Sequence, residues 1–458
     1  MTTPRAAALV LGIAALLSVI PAVVALVRAR KHGDWELTST LVFLVGALGI
    51  LPAVTYVLVA GRPQRLDAFG DVVADLPGWV NRIGQLTNAA LLGAGVLFVF
   101  LRLAGGRAKV NVAPLIALLL ALLLAFSDGL DGRQLFAPRQ LALLAVLLAA
   151  SVARPGRPAF LGAAAVAVLL TLVSGIEALV APDHVFRVCR TDKCSPFGAL
   201  YTGVLTNENI FSLLLVVCIP FIWMAVRGRV RLLLACYVAF VVIATGSRSG
   251  EVAAIATLLL LVLMRPKLPE GTERPRHTPA AIVAGGVLSL CAVAFAGLLL
   301  PFTVAAGGGL GGRAYIWSVA GEQLSRSPFI GFGANAWTAA SPQYGVPKAL
   351  TPTLHNEWID VLFAGGLIGL SLLALLLAYI LLRGGRANVA VACCVLLPVL
   401  LNAALERPWS FGISDSLSFA LVAATLVPGA VVLRPAGSPA AAESLPRPVA
   451  VPARTPGH

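Results

Sequence analysis

The sequence has 458 residues, of which 59% are hydrophobic and only 12% are charged. Soluble domains carry about 25% charged residues, so this composition excludes an ordinary soluble protein and indicates an integral membrane protein whose main partner is the lipid bilayer. The formal charge of +14 does not indicate a nucleic-acid partner, because basic residues also collect in the cytoplasmic loops of membrane proteins.

Apolar runs divide the chain into about 13 predicted membrane spans, many of them near the roughly 18 residues that cross the hydrocarbon core. The predicted bounds are 6–27, 38–60, 87–104, 110–127, 139–153, 158–180, 208–226, 231–246, 250–264, 279–303, 357–382, 388–405 and 415–433. The predicted fold is therefore an all-α polytopic transmembrane helical bundle. A version with about 12 spans stays open, because an odd number places the N-terminus outside.

Lys and Arg separate the loops into two alternating sets. The short, basic set comprises 28–37, 102–109, 154–157, 227–231, 265–278 and 383–387. Because basic loops stay on the cytoplasmic side, the other set is predicted to face outward. That outward set contains the long loops 61–86, 181–207 and 304–356.

The chain is predicted to have four parts. Residues 1–200 form N-terminal transmembrane helices, 201–382 form a core that includes loop 304–356, and 383–434 form C-terminal helices. Residues 435–458 are rich in Pro, Ala and Ser and are predicted to be a disordered cytoplasmic tail, because they lack apolar residues that a core requires.

The cysteines fall into two groups. The apolar runs hold Cys218, Cys236, Cys291, Cys393 and Cys394, which we expect to be buried packing residues. Cys189 and Cys194 flank a polar Arg-Thr-Asp-Lys segment and are predicted to form a disulfide, which requires an oxidising, extracytoplasmic side. No histidine accompanies that pair, so the spacing does not indicate a zinc site.

Two neighbouring spans are unusually short. Residues 232–245 and 252–264 hold about 14 and 13 mostly apolar residues, below the roughly 17 that a span requires. Arg248 lies between them and costs a few kcal/mol at membrane depth unless it is paired or lines a wet cavity, so it is a functional-site candidate. The alternatives are a side chain that extends to the lipid headgroups or a structural pair with Glu251.

The loop 304–356 contains a second candidate. Between 313 and 324, apolar residues recur at 316, 319, 320 and 324, a spacing that predicts an amphipathic helix on the outer leaflet. Tyr315 and Trp317 suit the membrane interface, and Arg313 begins the helix after a glycine-rich stretch. The alternative is that Arg313 contacts only lipid phosphates.

His355 lies where this loop enters span 357–382. Thr353 is predicted to cap the helix, which places His355 in its first turn with Trp358 on the same face. The partial positive charge of a helix N-terminus favours a neutral imidazole, the form that a general base requires. The alternative is a structural histidine that is hydrogen-bonded within the loop.

Four groups of residues, in this order, resemble the O-antigen ligase and polymerase superfamily. They are Thr-Asn-Glu-Asn at 206–209, Thr-Gly-Ser-Arg-Ser at 245–249, Gly-Arg-Ala-Tyr-Ile-Trp at 312–317 with Ser-Pro-Phe-Ile-Gly-Phe-Gly at 327–333, and His-Asn-Glu-Trp at 355–358 followed by Ala-Gly-Gly-Leu-Ile-Gly-Leu at 364–370. The resemblance covers about 200–370, and the first 200 residues match only as apolar helices.

This resemblance implies an inverting, metal-independent and cofactor-free glycosyl transfer on the outer face of a bacterial cytoplasmic membrane. The donor is a glycan on a polyprenyl diphosphate, and the acceptor is a hydroxyl on a glycan or glycolipid. Arg248 and Arg313 would hold the diphosphate, and His355 would activate the acceptor. The residues then expected to bind substrate are Asn207, Asn209, Ser247, Tyr315, Trp317, Asn356 and Trp358.

Other functions remain to be weighed. A ligase and a repeat-unit polymerase of this superfamily share the same chemistry, and the sequence does not separate them. A lipid-linked glycan flippase or a secondary transporter would instead place charged groups and broken helices near mid-membrane in two related halves. A membrane scaffold without activity is a third alternative.

Overall fold

A computed structural model describes residues 3–61, 77–106, 109–190, 193–266, 268, 278–304, 310, 312–346 and 353–428. The predicted tail at 435–458 and the greater part of loop 61–86 lie outside the described residues.

The described chain is almost entirely helical. Its helices are α1 (Thr3–Lys31), α2 (Leu37–Ala60), α3 (Gly78–Ala104), α4 (Val112–Leu130), α5 (Pro138–Ser151), α6 (Arg157–Val180), α7 (Pro182–Val185), α8 (Glu208–Ala225), α9 (Val230–Thr245), α10 (Arg248–Met264), α11 (Ala280–Thr303), α12 (Arg313–Leu324), α13 (Ala336–Ala340), α14 (Glu357–Leu382), α15 (Gly385–Ala403) and α16 (Ser418–Thr425). A short strand, β1 (Phe186–Arg187), pairs antiparallel with β2 (Leu200–Tyr201). The predicted all-α polytopic bundle is confirmed.

Nine of the described helices are long and apolar enough to cross a membrane. Helices α5, α9 and α10 have 14, 16 and 17 residues, which is about 21 to 26 Å against a hydrocarbon core of about 30 Å. Every predicted span coincides with a helix, but two bounds are wrong. Helix α3 begins at Gly78 and not at 87, because its first turns are polar, and the described helix within 415–433 spans only Ser418–Thr425.

The centre of the bundle is α8, whose side chains are almost all buried. It packs against α6, α9, α10 and α15. Phe221 of α8 contacts Phe160 of α6 with ring centroids 5.2 Å apart. Because α8 begins at Glu208, its burial fixes the polar motif at 206–209 at one end of the bundle.

Ion pairs join the loops that the charge pattern assigns to the cytoplasm. Asp34 accepts from Arg227 at 2.8 Å, and Glu36 accepts from Arg154 at 2.8 Å. These contacts bring the loops 28–37, 154–157 and 227–231 together at one end of the bundle. These three loops therefore group as the alternation of charge predicts, and the side that they face remains a prediction.

The predicted span 357–382 is not the continuous helix that its apolar run predicts. Helix α14 is broken at Gly366, whose φ of 60° and ψ of −159° are not helical. The segment 327–333 fills the break. Leu367 N–H donates to the Pro328 carbonyl at 2.8 Å and Ile368 N–H to the Phe329 carbonyl at 3.0 Å.

The same segment also takes the carbonyl groups that the break releases. Phe332 N–H donates to the Phe363 carbonyl at 3.0 Å, and Gly333 N–H donates to the Ala364 carbonyl at 2.8 Å. A continuous helix would bond those carbonyls to residues 367 and 368. The loop thus substitutes for two helical hydrogen bonds about 14 Å from the start of α14, where unpaired backbone groups would be costly.

Substitution of Gly366 tests this arrangement. A Cβ at Gly366 would lie 2.3 Å from the backbone carbonyl carbon of Phe329, at a conformation that side chains rarely adopt. We expect Gly366→Ala to destabilise the protein by about 3 kcal/mol or more, measured as a lower unfolding temperature in detergent. Gly285→Ala in α11 is the control, because nothing lies within 4 Å of its added methyl group. Equal unfolding temperatures would contradict the docking of the loop.

Candidate active site

The three predicted reactive residues lie at the beginnings of three helices. Arg248 is the first residue of α10, Arg313 is the first residue of α12, and His355 lies two residues before α14. Left-handed backbone accompanies each of them, with φ of 68° at Gly246, 81° at Gly312 and 50° at His355 itself. A sharp turn therefore presents each side chain at the end of a helix.

Arg313 and His355 meet on one carboxylate that the sequence analysis did not identify, Glu406. Arg313 Nη2 donates to Glu406 Oε1 at 2.7 Å, and His355 Nδ1 lies 3.3 Å from Glu406 Oε2. The Glu406 side chain is only 12% exposed. Residues that are about 50 and 90 positions away in sequence thus share a shielded acceptor, which strengthens both hydrogen bonds.

The electrostatics of Glu406 follow from these contacts. Burial raises the pKa of its carboxyl group, but the hydrogen bond and charge of His355 and the charges of Arg313 and Lys193 outweigh burial and hold the pKa below its ordinary value. Glu406 is therefore ionised at neutral pH and accepts hydrogen bonds only.

The loop between α15 and α16 holds Glu406 in place by binding the start of α14. Arg407 Nη1 lies 3.4 Å from Asp360 Oδ2, and Trp409 N–H donates to Glu357 Oε2 at 3.0 Å. Burial lowers the pKa of Arg407, but nearby carboxylates, first Asp360, raise it above its ordinary value. The carboxyl groups of Glu357 and Asp360 thus fix the loop, and Glu406 contacts His355 and Arg313.

The prediction that Thr353 caps α14 with His355 in the first turn is wrong. The cap is Asn356, whose Oδ1 accepts from the backbone N–H of Trp358 at 2.9 Å and of Ile359 at 3.0 Å. Thr353 Oγ1 accepts from His355 N–H at 3.2 Å instead. An amide that caps more effectively than a hydroxyl places His355 outside the helix, so Glu406, and not the helix terminus, sets its environment.

Two polar atoms beside Glu406 are buried without a hydrogen-bond partner in the described part of the chain. They are Nε2 of His355 and Nε of Arg313. A buried polar group without a hydrogen-bond partner costs about 1–3 kcal/mol. Such groups are therefore rare in a protein interior, and one explanation is a bound ligand that supplies the missing partner. The imidazole nitrogen opposite Glu406 is thus free to bond to a hydroxyl group.

Arg248 lies beside a second polar group. Ser247 Oγ donates to Asn209 Oδ1 at 3.1 Å, and Glu251 interacts with the charges of Lys193 and Arg248. The charge of Lys193 also reaches Glu406. Lys193 therefore acts electrostatically on Glu251, which follows Arg248 in α10, and on Glu406.

Several residues expected to bind substrate have structural contacts. Asn207 caps α8 by accepting from Asn209 N–H at 2.7 Å. Asn356 is fully buried, and besides its capping bonds its Nδ2 donates to the carbonyls of Gly297 at 3.0 Å and Ala404 at 2.9 Å. Its hydrogen-bonding groups are all used, so Asn356 positions the His355 turn and does not offer a free group to a ligand.

The aromatic candidates also differ in exposure, since two of them are buried and one is exposed. Trp317 is 2% exposed and its Nε1 donates to the Leu354 carbonyl at 2.7 Å, so its prediction as a membrane-interface residue is wrong. Tyr315 is 41% exposed, as predicted, and its hydroxyl donates to the Tyr344 carbonyl at 2.7 Å. Trp358 is 5% exposed and packs against Gly297. The predicted helix at 313–324 is present, and its buried residues pack into a small apolar cluster of the loop. Its placement on the outer leaflet stays a prediction.

Cys189 and Cys194 are joined by a disulfide, with Cα atoms 4.7 Å apart. Among the residues that the structure describes, no group of three His, Cys, Asp or Glu side chains is placed to hold a metal ion.

Comparison with known proteins identifies the region that carries the arginines and the histidine. Residues 232–374 match the family model described as O-Antigen ligase. This match, over about a third of the chain, supports the resemblance to the O-antigen ligase superfamily. The match includes Arg248, Arg313 and His355 and ends before Glu406. The search of curated proteins returned no match.

Sequence reasoning about the site missed Glu406 and Lys193, both of which lie outside the matched residues 232–374. Glu406 was detectable as an acidic residue that ends a predicted span on the same side as His355. Lys193 was detectable within the cysteine-flanked loop on that side. In both cases the sequence supplies the position but not the partner.

Acid unfolding tests the role of Glu406. Its folded-state pKa lies below the ordinary value of 4.5, so its stabilising contribution is complete above that value and is lost as the pH falls through the folded-state pKa. We expect Glu406→Gln to lower the unfolding temperature at pH 7 and to flatten its decline below about pH 5. Glu322→Gln, at an exposed position of α12, is the control. An unchanged acid profile for Glu406→Gln would contradict the assignment.

Proposed function

We propose that this protein transfers a glycan from a polyprenyl-diphosphate carrier to an acceptor hydroxyl on the outer face of the bacterial cytoplasmic membrane. The observation that carries the proposal is the single carboxylate of Glu406, which binds Arg313 on one oxygen and His355 on the other. A base and a phosphate-binding cation are thereby held next to each other. The match to the O-antigen ligase family, which includes Arg313 and His355, supports the same chemistry.

The tautomer of His355 follows from its partner. An ionised carboxylate has no proton to donate, so Nδ1 of His355 carries the hydrogen in this contact. In the neutral ring, Nε2 then has a lone pair. The unpaired state of Nε2 among the described residues agrees with its role as the atom that accepts the acceptor's proton.

The reaction is a single displacement at the anomeric carbon. The acceptor oxygen forms the new C–O bond as its proton passes to His355 Nε2, and the bond from the anomeric carbon to the diphosphate oxygen breaks. Attack opposite the leaving group inverts the configuration. The polyprenyl diphosphate leaves with one additional negative charge, which Arg248 and Arg313 offset through bidentate hydrogen bonds.

A transporter is less well supported than a transferase. Broken helices in transporters expose backbone groups that bind ions or substrate. Here the break at Gly366 is filled, because the segment 327–333 bonds to two carbonyls and two amides around it. The charged candidates lie at helix ends and not at the break.

Release of the carrier diphosphate tests the reaction. Purified protein with a polyprenyl-diphosphate glycan and a glycolipid acceptor should release polyprenyl diphosphate in the presence of EDTA, because guanidinium groups offset the leaving charge. A reaction without acceptor distinguishes transfer from hydrolysis, and the product's linkage reports the inversion. Strict dependence on a divalent metal ion would contradict the mechanism.

Alanine variants test the residue roles. Arg248→Ala, Arg313→Ala and His355→Ala should each lower turnover by about 10²-fold or more, because each removes a group that acts on charge or a proton in the transition state. Folding is checked by the unfolding temperature. Arg326→Ala, at an exposed position of the same loop, and His32→Ala, at an exposed position after α1, are matched controls that should retain activity. A fully active His355→Ala variant would remove the base assignment.

A further inference from the structure

A small disulfide-closed element lies against the Arg248 side of the site. Cys189 and Cys194 are bonded, and the backbones of Arg190 and Lys193 pair across it, with N···O distances of 2.9 and 3.2 Å. We call residues 189–190 and 193–194 the disulfide hairpin. Its disulfide and two backbone hydrogen bonds hold Lys193 opposite Arg190.

The first contact between the hairpin and the site is polar. Lys193 Nζ donates to Glu208 Oε1 at 3.0 Å and also to Asn209 Oδ1. The same Asn209 oxygen accepts from Ser247 Oγ at 3.1 Å. Lys193 is 11% exposed, so this ammonium group is largely removed from water and its hydrogen bonds are strong. Lys193 thus holds Asn209 in place, and Asn209 accepts the hydrogen bond from Ser247, which precedes Arg248 in the chain.

The second contact is between backbones. Gly246 has a φ of +68°, and a Cβ there would lie 2.9 Å from Ser195 N and 3.1 Å from the carbonyl carbon of Cys194. The turn that begins α10 therefore rests directly on the end of the hairpin. Because Arg248 follows Gly246 by two residues, a displacement of the hairpin displaces the start of α10.

The hairpin and its neighbours form a group of mixed charge. The buried carboxylate of Glu208 pairs with Lys193 at 3.0 Å and with Arg187 at 3.0 Å. Glu251 interacts with the charges of Lys193 and Arg248. These contacts fix the position of the Lys193 ammonium group beside the start of α10.

We propose that the disulfide hairpin positions Arg248 for the donor diphosphate, with Lys193 as the positioning residue, so that donor binding requires the oxidised Cys189–Cys194 pair. This inference rests on the proposed glycosyl transfer. A dithiol reductant reduces the Cys189–Cys194 disulfide by delivering two electrons and two protons. The S–S bond becomes two thiols, and the reductant becomes a cyclic disulfide. The hairpin then loses its covalent closure while Lys193 keeps its charge.

Substitution of Lys193 tests the positioning role. Lys193→Met should raise the KM for the polyprenyl-diphosphate glycan about tenfold and also lower kcat, with little change in the KM for the acceptor, because a displaced Arg248 binds the diphosphate less well both before and in the transition state. Lys193→Arg should restore most of the affinity. Lys109→Met, at an exposed position before α4, is the control. Equal KM and kcat in wild type and Lys193→Met would overturn the proposal.

Reduction tests the disulfide. Wild type treated with dithiothreitol and then alkylated should show the same rise in donor KM, and a Cys189→Ser/Cys194→Ser variant should show it without treatment and not respond further. The control is Cys236→Ser/Cys291→Ser, which removes the exposed free cysteines and should respond to reduction as wild type does. An unchanged donor KM after complete reduction would overturn the proposal.

A binding measurement separates this inference from the proposed function. Polyprenyl diphosphate without a glycan is the probe, and the shift of the unfolding temperature is the readout. Binding that depends on Lys193 and the disulfide, in a protein that transfers no glycan, would support the hairpin and contradict the transferase. If the variants leave both glycan transfer and probe binding unchanged, the transferase is supported and the role of the hairpin is contradicted. A wild-type protein that neither binds the probe nor transfers a glycan would contradict both proposals.

Discussion

The carboxylate of Glu406 organises the candidate active site. Removing an ionised carboxylate from water is costly unless cations and hydrogen-bond donors compensate for the loss. Glu406 is compensated by Arg313 from the long loop and by His355 from the turn before α14. Three segments that are distant in sequence are therefore held together by one charge. The same contact fixes which ring nitrogen of His355 carries the hydrogen, which the proposed role of His355 as a base requires.

A second constraint, the need to pair every backbone group inside the bilayer, fixes the long loop. The break at Gly366 would leave carbonyl and amide groups unpaired in a lipid environment. The segment 327–333 bonds to them, so the loop that carries Arg313 is anchored in the same helix that follows His355. An irregular helix thus provides the rigidity that a precise arrangement of polar residues requires, and it does so without exposing polar backbone to lipid.

Many polar residues of the family-like motifs support the reactive groups and do not face a ligand. Asn356 caps α14 and binds two carbonyl groups, Asn207 caps α8, and Trp317 supports Leu354 through a buried hydrogen bond. These contacts explain why the motifs contain such residues at helix ends: a cap fixes the direction of the chain at the position where the next side chain acts.

The sequence by itself determined the helical class, the separation of the loops by charge, and the choice of Arg248, Arg313 and His355 as candidates. These features follow from hydropathy and charge, which are local properties that decide whether a segment enters the bilayer. The sequence also supplied the cysteine pair. Only the tertiary structure decided that Glu406 joins Arg313 to His355, that Lys193 binds Glu208 and Asn209, and that a loop fills the break in α14. Those features depend on contacts between segments far apart in the chain. Neither periodicity nor composition predicts which distant side chains form an ion pair or a hydrogen bond.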